Sequence, residues 1–189
     1  MVKIAIVSHS GYGHTYEIAK HVKMGVESAG CEAVHYTASE AIEKMVELRD
    51  FDGIIFGSPT YMGSASADFK KFMDASSKEW AQQQWHNKVA AGFTNSSSMS
   101  GDKLSTLMQI SVFAAQHGMI WVGNDILPNT SGKSPDPDGM NRLGSWLGLM
   151  TQANSDEGPD VAPPKSDRKT AEHFGKRVAE ITIKFVGGK

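Results

Sequence analysis

Ser10-Gly11-Tyr12-Gly13-His14-Thr15 is the stretch of this 189-residue sequence whose residue types and spacing point most directly to chemistry. Its two glycines let the backbone turn until several N–H groups converge on one point, and Ser10 and Thr15 add hydroxyl donors. A helix starting at the same place adds the positive end of its dipole, and together these features hold a phosphate. No Lys or Arg occurs from Ile4 to Ala19, so a phosphate dianion here is neutralised by backbone dipoles and hydroxyls rather than by a counterion. The plainer reading is a capped turn with no ligand, but two glycines and three hydroxyl or imidazole groups exceed what capping needs.

Competing motifs fail residue by residue. A dinucleotide fingerprint needs a third glycine where Tyr16 stands. Gly132-Lys133-Ser134 resembles the end of a P-loop, yet Leu127 occupies its required first glycine position. A phospho-receiver domain would carry an acidic residue where Gly57-Ser58-Pro59 stands. Asn129-Thr130-Ser131 matches a glycosylation sequon that has no meaning without secretion. His9, His14, His21 and His35 are scattered, with no carboxylate or cysteine at ligand spacing, so no metal site is expected.

These residues need elements to position them, and the pattern supplies an alternation. Lys3 to Ser8 is a short apolar run of the kind buried on both faces of a parallel sheet. Ile18, Ala19, Val22 and Val26 then fall on one helical face, with Gly30 at the C-terminal cap. Cys31 to Tyr36 reads as a second strand, and Thr37 with Glu40 has capping-box spacing for a short helix. Gly53 to Ser58 is a third strand, followed by a helix carrying Ala65, Phe69, Phe72 and Met73. Lys88 to Asn95, a helix through Leu104, Leu107, Met108 and Ala115, and a fifth strand over Met119 to Val122 complete the run. Strands and helices in strict alternation build a parallel sheet covered on both faces.

Periodicity fails from Gly123 to Ser166, so one domain over residues 1–189 with a long loop or insertion at about 123–166 is expected. Part of Met140 to Met150 is expected to be helical. Ala171, Phe174, Val178, Ile181 and Phe185 form the stripe of a closing helix. Leu143, Trp146, Leu147, Leu149 and Met150 are more apolar surface than a solvent-exposed loop should carry, which predicts self-association.

Composition narrows the partners. A formal net charge of −2, with 40% hydrophobic and 21% charged residues, describes an ordinary folded protein with no broad attraction to nucleic acid or anionic membrane. Cys31 is the single cysteine, which excludes an intrachain disulfide. The apolar opening is a strand long, short for a secretory signal, and no run of 18 apolar residues follows; a cytoplasmic location without membrane contact is expected.

In an open parallel sheet, ligands bind outside the carboxyl ends of the strands where the winding reverses, so the loops after strands one, three and four matter most. Those loops carry a resemblance. Ser10 to Thr15 with His14, Pro59-Thr60-Tyr61-Met62-Gly63, Trp80, and His117-Gly118-Met119 together resemble the flavodoxin-like NAD(P)H:quinone oxidoreductases of the tryptophan-repressor-binding-protein group. The resemblance covers about the first 122 residues well and the last helix loosely.

It implies a three-layer α/β/α flavodoxin-like fold with a five-stranded parallel sheet of order 2-1-3-4-5. It implies FMN as cofactor, its phosphate on Ser10, Gly11, Tyr12, Gly13, His14 and Thr15. Pro59, Thr60, Tyr61, Met62 and Gly63 would then line the isoalloxazine, and Asn95, Ser96, Ser97, Ser98, Met99 and Ser100 would touch the ribityl chain and ring edge. Gln116, standing where the family has a histidine, is placed at the cofactor by the same resemblance. Tyr12 would also meet the nicotinamide nucleotide, and Trp80 would border the substrate space. The family has Arg-Phe where Tyr61-Met62 stand and a glycine-rich loop where Asn95 to Ser100 stand. The implied activity is hydride transfer from NADH or NADPH to FMN and on to a quinone-like acceptor, with the chemistry carried by FMN, in a homo-oligomer (dimer or tetramer). A flavodoxin-type electron carrier or an FMN-binding regulatory protein is the alternative; the balance of 19 basic to 21 acidic residues argues against a strongly acidic carrier.

Overall fold

A computed structural model describes residues 1–128, 136 and 138–188, and the Gly132-Lys133-Ser134 and Asn129-Thr130-Ser131 matches lie outside the described residues. The first half runs β1 (Lys3–Ser8), α1 (His14–Ser28), β2 (Glu32–Thr37), α2 (Ala38–Glu43), a 3-10 turn over Met45–Asp50 and β3 (Gly53–Tyr61). Then come β4 (Ser64–Ala65), α3 (Ala67–Ala75), α4 (Ser77–Ala81), β5 (Val89–Ser96), α5 (Lys103–Gln116), β6 (Ile120–Trp121), β7 (Leu149–Gln152) and α6 (Lys165–Gly187).

The strands order as β2-β1-β3-β5-β6, which is 2-1-3-4-5 once the hairpin strand β4 is set aside, and the main pairings are parallel. Period-two alternation in β1 explains the three layers. Ile4 and Ile6 point to a core shared with Ile18, Val22 and Val26 of α1 and Phe174 and Val178 of α6. Ala5 and Val7 point to the opposite core, where Phe56, Phe69, Phe72, Trp85 and Phe113 meet ring to ring. A strand apolar throughout its middle, from Ile4 to Val7, is thus buried on both faces.

Local signals hold where the chemistry is local. Thr37 and Glu40 form the expected capping box at α2, and Gly30 takes φ +81° just beyond the end of α1. Three expectations are corrected. First, β3 runs beyond Ser58 to Tyr61, because Thr60 pairs with Ala65 and Tyr61 with Ser64 in an antiparallel hairpin. Its two turn residues, Met62 and Gly63, take φ +50° and +78°, the left-handed backbone of a type I′ turn.

Second, the fifth sheet position is filled by two separate segments. β6 pairs with Val89 and Ala90 of β5, whereas β7 pairs with Phe93 to Ser96. The chain leaves the sheet after Trp121, makes its excursion and returns in the same position to support the upper half of β5. Third, Met140 to Met150 contains no helix; it is turns followed by the start of β7. Leu149 is fully buried in the core and Leu147 half-buried, so much of the apolar character that predicted self-association serves this return strand.

Candidate functional site

A cleft of about 600 Å³ opens at the carboxyl ends of β1, β3 and β5, within the roughly 300–1,000 Å³ range of small-ligand sites. It is lined by Ser10, Tyr12, His14, Thr15, Pro59, Thr60, Tyr61, Asn95, Ser96 and Ser97, all of them expected residues, and also by Ala153, Ser155 and Glu157.

The loop after β1 is shaped by backbone more than by side chains. Gly13 is the N-cap of α1 with φ +92° and provides no side-chain cap, so the amides of the first helical turn are left for an outside acceptor. A Cβ on Gly13 would stand 2.9 Å from Pro159 Cγ, and one on Gly11 would stand 2.6 Å from Tyr61 Oη. Gly13 therefore requires glycine for its conformation, whereas at Gly11 the bare Cα lets the Tyr61 hydroxyl approach closely. Ser10 Oγ is buried and has no hydrogen-bond partner. An orphaned hydroxyl beside uncapped amides is the arrangement a phosphate completes. The residues present fit the phosphate of FMN.

Two tyrosines face each other across the cleft mouth. Tyr12 and Tyr61 meet edge to face at 6.2 Å. Burial pushes the Tyr61 phenol upward in pKa, opposed by a hydrogen bond with the Gly11 backbone. Beneath them, Thr60 Oγ1 lies 2.8 Å from both Thr94 Oγ1 and Thr106 Oγ1, which ties the end of β3 to β5 and α5. The Asn95 amide meets Thr151 Oγ1 of β7 at 2.9 Å.

The third loop leaves β5 at Ser96 and returns to α5 at Lys103. Gln152 Nε2 donates to Ser97 O at 2.8 Å, and Gln152 N donates to Asp167 Oδ2 at 2.8 Å. Arg142 grips the same carboxylate with Nε at 2.7 Å and Nη2 at 3.0 Å. Burial raises the pKa of Asp167, against the opposing pull of that guanidinium.

The 153–164 stretch roofs the phosphate loop. His14 Nε2 donates to Glu157 O at 2.8 Å. Arg168 holds the roof down, donating to Pro163 O at 2.8 Å, Pro159 O at 3.0 Å and Asp160 O at 3.1 Å, with Glu17 of α1 at 3.3 Å. Ala153, Ser155 and Glu157 escaped the sequence reading because β7 was unread as a strand. Had it been read, the rule that sites form at strand carboxyl ends would have pointed to the residues just after Gln152.

Some expected residues lie elsewhere. Gly13 borders a neighbouring cleft with His9, Tyr16 and Thr37 on the β2 side of the loop. Met62 and Gly63 form the exposed hairpin tip, and Ser98, Met99 and Ser100 form the outer limb of the third loop. Trp80 and Gln116 share a separate cavity of about 280 Å³ with Ser76 and His117. Helix α5 begins at the cleft and Gln116 is its last residue, so the helix carries that side chain roughly 20 Å from the start. Within one chain, neither Gln116 nor Trp80 is brought to the cleft.

A parallel sheet of this order, with an amide-lined loop at its winding reversal, defines a flavodoxin-like protein. Residues 9–132 match the NADPH-dependent FMN reductase family, and the chain belongs to that family. It is 39% identical over 182 residues to Flavodoxin FldP of Pseudomonas aeruginosa, covering 96% of this chain and 97% of that protein. It is 30% identical over 208 residues to the NAD(P)H dehydrogenase (quinone) of Archaeoglobus fulgidus, covering 98% and 100%. The crystal structure of the flavodoxin, WrbA-like protein from Agrobacterium tumefaciens superposes with TM-score 0.74 at 35% identity, covering 98% of this chain and 99% of that one.

Proposed function

We propose that this chain is an FMN-dependent oxidoreductase that takes reducing equivalents from NADH or NADPH and passes them to a quinone or similar small acceptor. The observation that carries the reading is the buried, unpartnered Ser10 hydroxyl beside the uncapped start of α1, within a cleft flanked by Tyr12 and Tyr61. Family membership and relatives named NAD(P)H dehydrogenase (quinone) support the donor and the acceptor class.

FMN, when bound, supplies the redox chemistry at its ring. Ser10, Thr15 and the backbone amides from Gly11 to Thr15 would hold its phosphate. His14, by donating to Glu157 O, ties the 153–164 stretch to that loop. Thr60 and Tyr61 would border one edge of the ring and Asn95 to Ser97 the other. Tyr61 offers a flat face to stack on, as does Tyr12 toward the nicotinamide; such contacts contribute about 0.5–1.5 kcal/mol beyond burial.

We read residues 1–189 as one domain and the protein as cytoplasmic, a reading supported by its lone, buried Cys31. Among the described residues no helix is long and apolar enough to cross a membrane. Self-association is proposed with a changed basis: Leu104, Met108 and Val112 form an exposed stripe on α5 near half-exposed Trp80. Sedimentation at micromolar concentration tests it, and a monomer contradicts it.

Steady-state oxidation of NADH and NADPH with a benzoquinone acceptor tests the activity. Flavin-dependent turnover above that of free FMN is expected, and its absence removes the assignment. One observation favours a second reading: the 39% identity to a protein named flavodoxin points to electron carriage. Potentiometric titration separates the two, since a reductase is expected to accept both electrons in one step and a carrier in two resolved steps.

A further inference from the structure

Helix α5 opens on a residue that local rules disfavour there. Lys103 is its first residue, so its charge sits at the positive end of the helix dipole, and its side chain is fully buried. Its ammonium donates to three successive carbonyls, Ser98 O at 2.5 Å, Met99 O at 3.2 Å and Ser100 O at 3.5 Å. These belong to the loop whose first residues, Asn95, Ser96 and Ser97, line the cleft. Among the described residues no carboxylate forms an ion pair with Lys103. The nearby Asp167 of α6 is gripped from two sides by Arg142 of the 138–148 segment. Those two charges act on Lys103 in opposite senses, Asp167 the more strongly, and because they are paired with each other the three groups together carry one buried positive charge behind the loop. Burial pulls it down to about 8, Asp167 opposing and Arg142 assisting.

A buried charge in an unfavourable position points to a role beyond stability. We propose that Lys103 is a positioning residue for the flavin, which draws the carbonyls of residues 98–100 inward to shape the loop and biases bound FMN toward its reduced form. The inference rests on the FMN reading above. A peptide whose carbonyl turns inward presents its N–H outward, so the clamp aims the amides of Met99, Ser100 and Gly101 away from the ammonium. Reduction places negative charge on the flavin ring, and a positive charge behind the loop stabilises that state more than the oxidised one.

This difference sets the test. A clamp that only shaped the loop would strengthen oxidised and reduced FMN equally and leave the midpoint potential unchanged. In holoprotein at pH 7, Lys103→Met is expected to bind oxidised FMN about tenfold more weakly, since three carbonyls lose their donor, and to show a more negative midpoint potential. Lys103→Arg, which keeps the charge, is expected to restore most of the potential. In the wild type, the potential is expected to turn more steeply negative as pH rises through about 8, a break absent from Lys103→Met. An unchanged potential in folded Lys103→Met, with or without weaker FMN binding, overturns the proposal. Should Lys103→Met fail to fold, the wild-type profile decides, and a profile without that break overturns it. Failure of the wild-type protein to bind FMN at all is a different result and strikes the function itself.

Discussion

The loop after β1 and the loop after β5 flank the same cleft, but they are built in opposite ways. Ser10 to Thr15 is shaped by neighbours in sequence: a strand end, two glycines and a helix start. Asn95 to Gly101 is shaped by one near neighbour, the buried Lys103 behind it, and from a distance by Gln152 of a strand some fifty residues on and by an Arg142–Asp167 pair that joins the excursion to α6. The first loop is encoded where it stands. The second is held in part by groups remote in sequence, and among its supports are charged groups taken out of water.

The largest expected effect strikes the distant scaffold. Arg142→Met takes from the buried Asp167 carboxylate its paired guanidinium and leaves it the Gln152 amide and the nearby Lys103 charge, and breaking a buried pair from one side costs about 3–5 kcal/mol. The urea midpoint at pH 7 is expected to fall accordingly; an unchanged midpoint means the second loop does not depend on its scaffold.

The same distinction appears in pH. His35, on β2 and 2.7 Å from Ser8 Oγ at the strand end that leads into the first loop, is lowered to about 4 by burial, with Glu40 opposing. Lys103, behind the second loop, is lowered to about 8 by burial. In both cases the unfolded chain holds its proton over a range where the folded one has released it, so stability rises with pH across each window. The windows are about 4 to 6.5 for His35 and about 8 to 10.5 for Lys103, each worth up to about 3 kcal/mol. His117, also lowered to about 4 by burial, adds to the acid window. Unfolding free energies of apoprotein should therefore rise in two separated steps. His35→Gln is expected to shrink the acid step and Lys103→Met to remove the alkaline one.

Gly13→Ala should strike the local loop while sparing the distant one. A non-glycine residue at φ +92° with its Cβ 2.9 Å from Pro159 Cγ costs about 1–3 kcal/mol. That strain is expected to appear mainly as roughly ten- to hundredfold weaker FMN binding, read by calorimetry. Gly11→Ala is milder, because the Tyr61 phenol it meets ends a side chain that can swing aside. A loss of only a few-fold, about 1 kcal/mol, is expected, reversed in Tyr61→Phe because the hydroxyl is the obstruction.

This division also explains what could be read from the sequence. The βαβ alternation and the Thr37–Glu40 box rest on residues a few positions apart, and the fold matches them; the proposed Ser10 to Thr15 cradle is drawn from the same kind of local pattern. β7 is four residues long and borrows its stability from pairing with β5. It lies inside the stretch from Gly123 to Ser166 where no periodicity shows, and Ala153, Ser155 and Glu157 follow it directly. The extension of β3 was equally hidden, since Pro59 and Gly63 look like the marks of a loop until Thr60 finds Ala65. Lys103 and Asp167 read as surface charges in any list of residues, and only the tertiary structure buries them.

The most direct measurement is calorimetry of the wild-type chain with FMN at low and at moderate salt. Amides and hydroxyls holding the phosphate without a cation predict one FMN per chain, retained through desalting, with an affinity that changes little with ionic strength. No heat of binding, or flavin that washes away from folded protein, contradicts the account.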